Sequence, residues 1–382
     1  MKTHELCTKN CYGCTACAMI CPVNAIIMVE NEKGFLYPQI NESLCVNCGM
    51  CQKVCSVPVK QSGSQYAYIA KLKDDTSRQM SQSGGVFVAI SNVVLERGGT
   101  VYGAVLTDKF EVEHMRATTY AERDKMRHSK YAQSAMHDIY GCVEKDLEEG
   151  MVLFSGTPCQ VAGLKRYLHC RGKNTDNLLT IDLICHGVPS IKIWRDLIQY
   201  YENKRGERVK AVVFRDNSVK GWSGHYSTFL FSDKQISDFY HRKLFYSNLA
   251  LRESCYICEF AKMERISDFT IGDAWGVQTH NPEFYDSKGV SIMLLHTDKA
   301  AKLFEDAVNE LDVISVSAET YKQGQMEYPP FPHRSIEEFW RDYNGKGFRY
   351  IIEKYAKNNI FFNKKYILKN WKKLFSRYLK IS

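Results

Sequence analysis

At 382 residues the chain exceeds the roughly 250 to 300 at which a single hydrophobic core stops growing, so two or three domains are expected. Its 45% hydrophobic, 12% aromatic and 25% charged residues are those of a folded protein, and no run is apolar enough to cross a bilayer. The net charge of +8 does not indicate a nucleic-acid footprint on the body: eight Lys and Arg between 357 and 382, with no acid among them, account for the excess of 51 basic over 43 acidic residues.

The first ten residues are polar and carry no signal-peptide pattern, which points to the cytoplasm. Fifteen cysteines then argue for metal or redox chemistry, because cytosolic thiols are kept reduced. Cys11, Cys14, Cys17 and Cys21 follow a C-x2-C-x2-C-x3-C pattern with Pro22 next, and Cys45, Cys48, Cys51 and Cys55 repeat it 34 residues later. The tight loop wraps three irons of a cubane, and the last cysteine of each run serves the other cluster. One expected ligand set is therefore Cys11, Cys14, Cys17 and Cys55; the other is Cys45, Cys48, Cys51 and Cys21. A pair of zinc sites is the competing reading, but zinc has no use for a third cysteine at the same short interval. The second run departs from the first in having Ser56 where Pro22 stands. Cys7 reads as a spare thiol, and Cys142 and Cys170 as structural. Residues 1–60 are thus expected to form a bacterial-ferredoxin-like domain with two 4Fe-4S clusters.

The polar stretch 61–65 (QSGSQ) reads as a linker. Beyond it a helix is predicted over 86–97, strands over 100–106, 151–155 and 178–184, antiparallel strands over 209–215 and 227–231, a strand over 291–296 and a helix over 299–311. The expected class is α+β or mixed α/β, with the ferredoxin followed by a larger flavin-binding α/β domain in two parts, 66–145 and 148–345. Cys159 (SGTPCQ) and Cys185 (DLICHG) both fall where a strand gives way to the next segment, and carboxyl ends of strands are where ligands collect. Cys255 and Cys258 add a C-x2-C pair. The four fit a third four-iron site, a zinc site, a redox dithiol at Cys255 and Cys258, or a nucleophilic Cys159 at a helix start. A flavin is the other expectation. Ser83, Gly84 and Gly85 precede a helix and suit a phosphate cradle, or simply a tight turn with a serine cap. Ser129, Lys130 and Tyr131 offer a cation and a ring to the same cofactor, or form a solvated helix face. Asp273 and Trp275 (IGDAWG) read as a glycine-bounded turn.

At SQSGGV, HSKYAQS, FSGTPCQ, DLICHG, CYICEF and SDFTIGDAWG the sequence resembles the β subunits of coenzyme F420-reducing hydrogenases and related dehydrogenases. The resemblance implies a flavin-containing iron–sulfur oxidoreductase that binds FAD and passes electrons between it and a four-iron cluster, here held by Cys159, Cys185, Cys255 and Cys258. Relatives with a fused two-cluster module include deazaflavin dehydrogenase subunits and hydroxymethyl chlorophyll reductase. The implied substrate is coenzyme F420 or another small organic molecule, since similar proteins occur among bacterial surface-polysaccharide genes. An electron donor or acceptor, protein or reduced coenzyme, is the implied partner. A non-catalytic electron carrier or redox sensor is the alternative function.

Residues 346–382 are expected to form a basic amphipathic tail. Ile367, Leu368, Trp371, Leu374, Phe375, Tyr378 and Leu379 share one helical face among Lys and Arg residues, suited to docking on the body or to peripheral contact with an anionic membrane.

Overall fold

Each C-x2-C-x2-C run must turn its sulfurs toward one point within a few residues, and left-handed backbone does the turning. Gly13 and Thr15 (φ 68° and 65°) have counterparts one repeat later at Asn47 and Gly49 (φ 55° and 73°). Glycine and asparagine reach that region at little steric cost, so the duplication is one of backbone shape as well as of cysteines. Short helices follow, α1 (Ala16–Met19) and α2 (Met50–Ser56). The first stops ahead of Pro22, whose ring bars further helix; Ser56 at the equivalent place lets the second run on. Strands β1 (Ile26–Glu30) and β2 (Leu36–Ile40) pair antiparallel beside them. The structure, a computed structural model, describes residues 10–357. Cys7 and the amphipathic face expected between 367 and 379 lie outside the described residues.

The chain then builds one large sheet in two visits. It first lays down β3 (Tyr66–Leu72), β4 (Thr100–Leu106), β5 (Val112–Ala117), β6 (Val152–Gly156) and β7 (Leu178–Leu183). β8 (Ala211–Val213), β9 (Ser227–Leu230) and β10 (Gln235–Asp238) form a separate antiparallel sheet. β11 (Phe269–Asp273), β12 (Ser291–Leu295) and β13 (Leu311–Ser315) return to the first. Its order is β13-β3-β12-β11-β7-β6-β4-β5, with the neighbours β11, β7, β6 and β4 parallel and the flanking pairs antiparallel. The segments 66–145 and 148–345 therefore supply strands to a single sheet.

Alternation along the strands sends Val101, Leu153 and Leu179 to one face, under helices Val86–Glu96 and Asp298–Ala307. It sends Tyr102, Val152, Phe154 and Leu178 to the other, under helices Ile139–Glu149 and Pro158–Cys170. Ala16, Ile20 and Val54 of the ferredoxin region are buried in that second core, so the two modules share one apolar interior. Ile351, Ile352 and Tyr355, inside the span expected as tail, pack with Trp194, Phe229 and Phe339. Among the described residues no helix is long and apolar enough to cross a membrane.

Three elements differ from expectation. The strand expected over 209–215 is only Ala211–Val213. The helix expected to reach 311 ends at Ala307, because Leu311 opens β13 on the outer edge of β3. IGDAWG is not a turn throughout: Ile271 to Asp273 complete β11, held between β7 and β12.

Candidate electron-transfer and cofactor site

The front cysteines meet in the crossed arrangement. Burial pushes the Cys17 thiol up, and Cys14, Cys11 and Cys55 around it push it further. Cys21, Cys45, Cys48 and Cys51 line one small cavity of their own. Backbone amides turn toward the sulfurs: Gly13 N donates to Cys11 Sγ (3.4 Å) and Ala25 N to Cys21 Sγ (3.2 Å). This is the environment that thiolate ligands of a cubane use, since amide hydrogen bonds stabilise charge on sulfur. Cys48 and Cys55 are exposed, whereas Cys14 and Cys17 are turned inward.

A second gathering of thiols lies at the carboxyl ends of β6 and β7. Adjacent parallel strands open on the same side of a sheet, so the residues that follow them face one crevice. Thr157 and Gln160 form a capping box at the start of helix Pro158–Cys170, which fixes Cys159 in its first turn. Thr157 Oγ1 lies 3.2 Å from Cys159 Sγ. Cys185 follows the end of β7, and a 3-10 turn, Glu253–Ile257, brings in Cys255 and Cys258. All four feel one another: Cys185 is raised well above its ordinary value by burial, then by Cys255, Cys159 and Cys258. Burial likewise pushes Cys159 up to about 11 and Cys255 up to about 12. Metal-free, these thiols hold their protons and must release them to bind metal. Val188 N donates to Cys255 Sγ (3.3 Å). Among the described residues no group of three His, Cys, Asp or Glu side chains is gathered closely enough to hold a single metal ion.

The two gatherings touch. A β-carbon added at Gly163 would stand 3.1 Å from Cys14 Sγ, and Gly163 is one turn beyond Cys159, about 6 Å along the helix. Tyr140 Oη lies 2.9 Å from both Cys14 O and Gln160 O. Tyr12 Oη accepts from Glu259 N (3.3 Å), next to Cys258, and its ring packs on Phe260. Arg166 Nε reaches Val57 O at 2.9 Å and ties the exit of the ferredoxin region to the same helix.

A cavity of about 320 Å³ opens above Cys159 and Cys185, and Ser83, Gly85, Ser129, Lys130 and Tyr131 all line it. Gly84 does not: its amide is held by Ser291 Oγ (3.0 Å), and it passes directly over the β3 backbone. Ser83 Oγ donates to Val290 O (2.9 Å) and no side chain caps helix Val86–Glu96, whose first residues line the cavity. Lys130 Nζ is held by the carbonyls of Lys125 and Arg127, and among the described residues no carboxylate pairs with it. Burial pulls its pKa down to about 7. Such an ammonium gains from any anion that enters. Across the cavity Asp273 takes hydrogen bonds from Arg215 Nη1 (2.7 Å) and Trp222 Nε1 (2.8 Å), and Trp222 stacks on Trp275 at 4.8 Å. His114, pulled by burial down to about 4 and so neutral, sits between Ser134 Oγ (2.8 Å) and Ser155 O (3.0 Å).

Residues 150–320 match the family described as the C terminus of the coenzyme F420 hydrogenase/dehydrogenase beta subunit, and residues 10–59 match the 4Fe-4S dicluster domain. The chain joins a dicluster ferredoxin domain to an F420 hydrogenase/dehydrogenase beta-subunit domain. It is thus an iron–sulfur protein with a domain of an oxidoreductase family. Formate hydrogenlyase subunit 2 of Escherichia coli K12 is 41% identical over 64 residues, 16% of this chain and 29% of that protein. The same subunit of Shigella flexneri matches equally. The chain therefore spans under a third of the length of these curated relatives. The F420-reducing NiFe hydrogenase complex from Methanosarcina barkeri shares 17% identity at a TM-score of 0.48, over 66% of this chain and 82% of that one.

Sequence reasoning missed several residues of the joint between the ferredoxin and beta-subunit domains. Arg252 stands three places before Cys255 and was open to notice. Tyr12, Tyr140 and Gly163 carry no local signal, because their part comes from contacts more than a hundred residues apart.

Proposed function

We propose that this chain is an iron–sulfur flavin-dependent oxidoreductase. Its front cysteines and the Cys159, Cys185, Cys255 and Cys258 set would hold three four-iron clusters and its cavity FAD, which together would link one-electron exchange with a partner to two-electron reduction or oxidation of a small organic molecule or the deazaflavin coenzyme F420. The reading rests on one observation: Cys159 and Cys185 line a cavity, Cys255 and Cys258 gather with them behind it, and Cys14 packs on the helix that carries Cys159. The donor set suits a cubane, with four thiols and amides aimed at their sulfurs. The cavity suits a flavin nucleotide, with an uncapped helix start and an unpaired ammonium for its phosphates and aromatic walls for its rings. When bound, the clusters supply one-electron steps and FAD joins them to two-electron chemistry.

The chain's own residues do the remaining work. Lys130 binds an anion in the cavity, and Trp275, stacked on Trp222, forms part of its wall. Neutral His114 fixes Ser134 and, through Gln160, the capping box that positions Cys159. The shared apolar core keeps the front module against helix Pro158–Cys170, which preserves a short path between ligand sets. Cys48 and the exposed Leu44 and Val46 place the outer set at the surface, where an electron-carrying partner docks. The test is metal and flavin analysis of anaerobically purified protein, which should give about 12 irons and one FAD per chain. Cys258→Ser should remove about 4 irons and leave the front pair intact. A count of about 8 in the unsubstituted protein retires the third site.

A further inference from the structure

Arg252 carries a charge that the fold buries without giving it a carboxylate. It is 1% exposed, and among the described residues no Asp or Glu pairs with it; the adjacent Glu253 is taken by Lys33 Nζ at 2.9 Å. Burying a cation costs several kcal/mol unless an anion compensates it. The anion within reach is a sulfur of the inner ligand set. Nη2 donates to Cys11 Sγ (3.5 Å) and to Leu36 O (2.7 Å), Nε to Cys11 O (2.6 Å) and Nη1 to Gln133 Oε1 (3.1 Å). Its own backbone leads into the third set, since Arg252 O accepts from Cys255 N (2.9 Å). The aromatic ring of Tyr37, 4.3 Å away, covers it from solvent. No cation stands among the residues lining the cavity of the outer set, Cys21, Cys45, Cys48 and Cys51.

We propose that Arg252 is the counter-cation of the inner ferredoxin cubane, a positioning residue that raises its potential above that of the outer cubane and so draws electrons inward. The proposal rests on the three-cluster reading above. One electron leaves the outer cubane, which is oxidised by one unit, and enters the inner one, which is reduced by one unit; no bond breaks and no proton moves. Each reduction adds negative charge to a cubane that already carries thiolates. A buried guanidinium at a ligand sulfur favours the reduced form, and burial leaves that effect little screened by salt.

The experiment is a redox titration of the full chain, purified without oxygen and followed by electron paramagnetic resonance, for the unsubstituted protein, Arg252→Gln and Arg252→Lys. With about 12 irons retained, Arg252→Gln should lower the affinity of the inner cubane for its electron roughly tenfold, about 59 mV for one electron. The outer cubane should stay where it was, and Arg252→Lys should recover most of the shift. A merely structural pin would change iron content and leave potentials alone. Full iron with unmoved potentials in Arg252→Gln overturns the proposal, and so does loss of iron from both variants. Failure of the underlying reading shows separately, as about 8 irons in the unsubstituted protein.

Discussion

Gly163 stands in the middle of helix Pro158–Cys170, where glycine costs about 1 kcal/mol relative to alanine. On propensity alone Gly163→Ala should therefore stabilise the protein. The structure gives the opposite sign. The new β-carbon would stand 2.6 Å from Tyr140 Oη, 2.9 Å from Cys14 Cβ and 3.1 Å from Cys14 Sγ. Contacts that short force one side to yield, at about 1 to 3 kcal/mol for overpacking, and moving Tyr140 endangers its hydrogen bonds at about 1 kcal/mol. Set against the propensity gain, the net loss is about 1 to 3 kcal/mol, felt where the first cysteine loop docks. Iron extraction by a chelator reads this opening. It should run roughly 5- to 150-fold faster than in the unsubstituted protein, if loop opening governs access to the irons. The assay is anaerobic, following cluster absorbance with time. Retention of iron as long as before, together with a higher melting temperature, would refute the docking of Cys14 on this helix.

Two further outcomes follow from the cavity. Lys130→Met should weaken FAD binding roughly tenfold to a hundredfold, the value of one charge-assisted hydrogen bond to phosphate. Because burial sets the free ammonium near pKa 7 and an anion favours its charged form, affinity should be full below about pH 7 and fall as pH rises through it. Flavin titration by fluorescence should show that fall in the unsubstituted protein and a flat profile in Lys130→Met; an equal pH dependence in both removes Lys130 from the site. Gly84→Ala would place a carbon 2.1 Å from Ala70 O and 2.7 Å from Ser291 N, both backbone atoms of paired strands that cannot swing aside. A loss of about 3 kcal/mol or more is expected, read as a melting temperature lower by several degrees, and an unchanged midpoint would contradict the close approach.

The strands and helices with strong local patterns were legible: the expected strand over 100–106 is β4 to the residue, and the helix expected from 86 begins at Val86. β5 and β13 went unread, since their short, partly polar segments become strands only by pairing with β4 and β3; β3 was missed too, although its seven residues are mostly apolar. The same holds for β11, where glycine and aspartate signalled a turn and neighbours on both sides imposed a strand. For the flavin residues, five of the six expected positions share one cavity, while Gly84 serves the packing of the sheet beneath it.

Spacing alone pointed to a two-cluster module at the front, because a cubane needs several thiolates within a loop of a few residues and the chain repeats that loop 34 residues on. The meeting of Cys159, Cys185 and the Cys255–Cys258 pair was decided only by parallel pairing of β6 and β7, which turns distant segments toward one crevice. The seat of the ferredoxin was likewise tertiary. A glycine in one helix and a buried arginine three residues before a cysteine acquire meaning from what packs against them, and sequence separation hides such contacts.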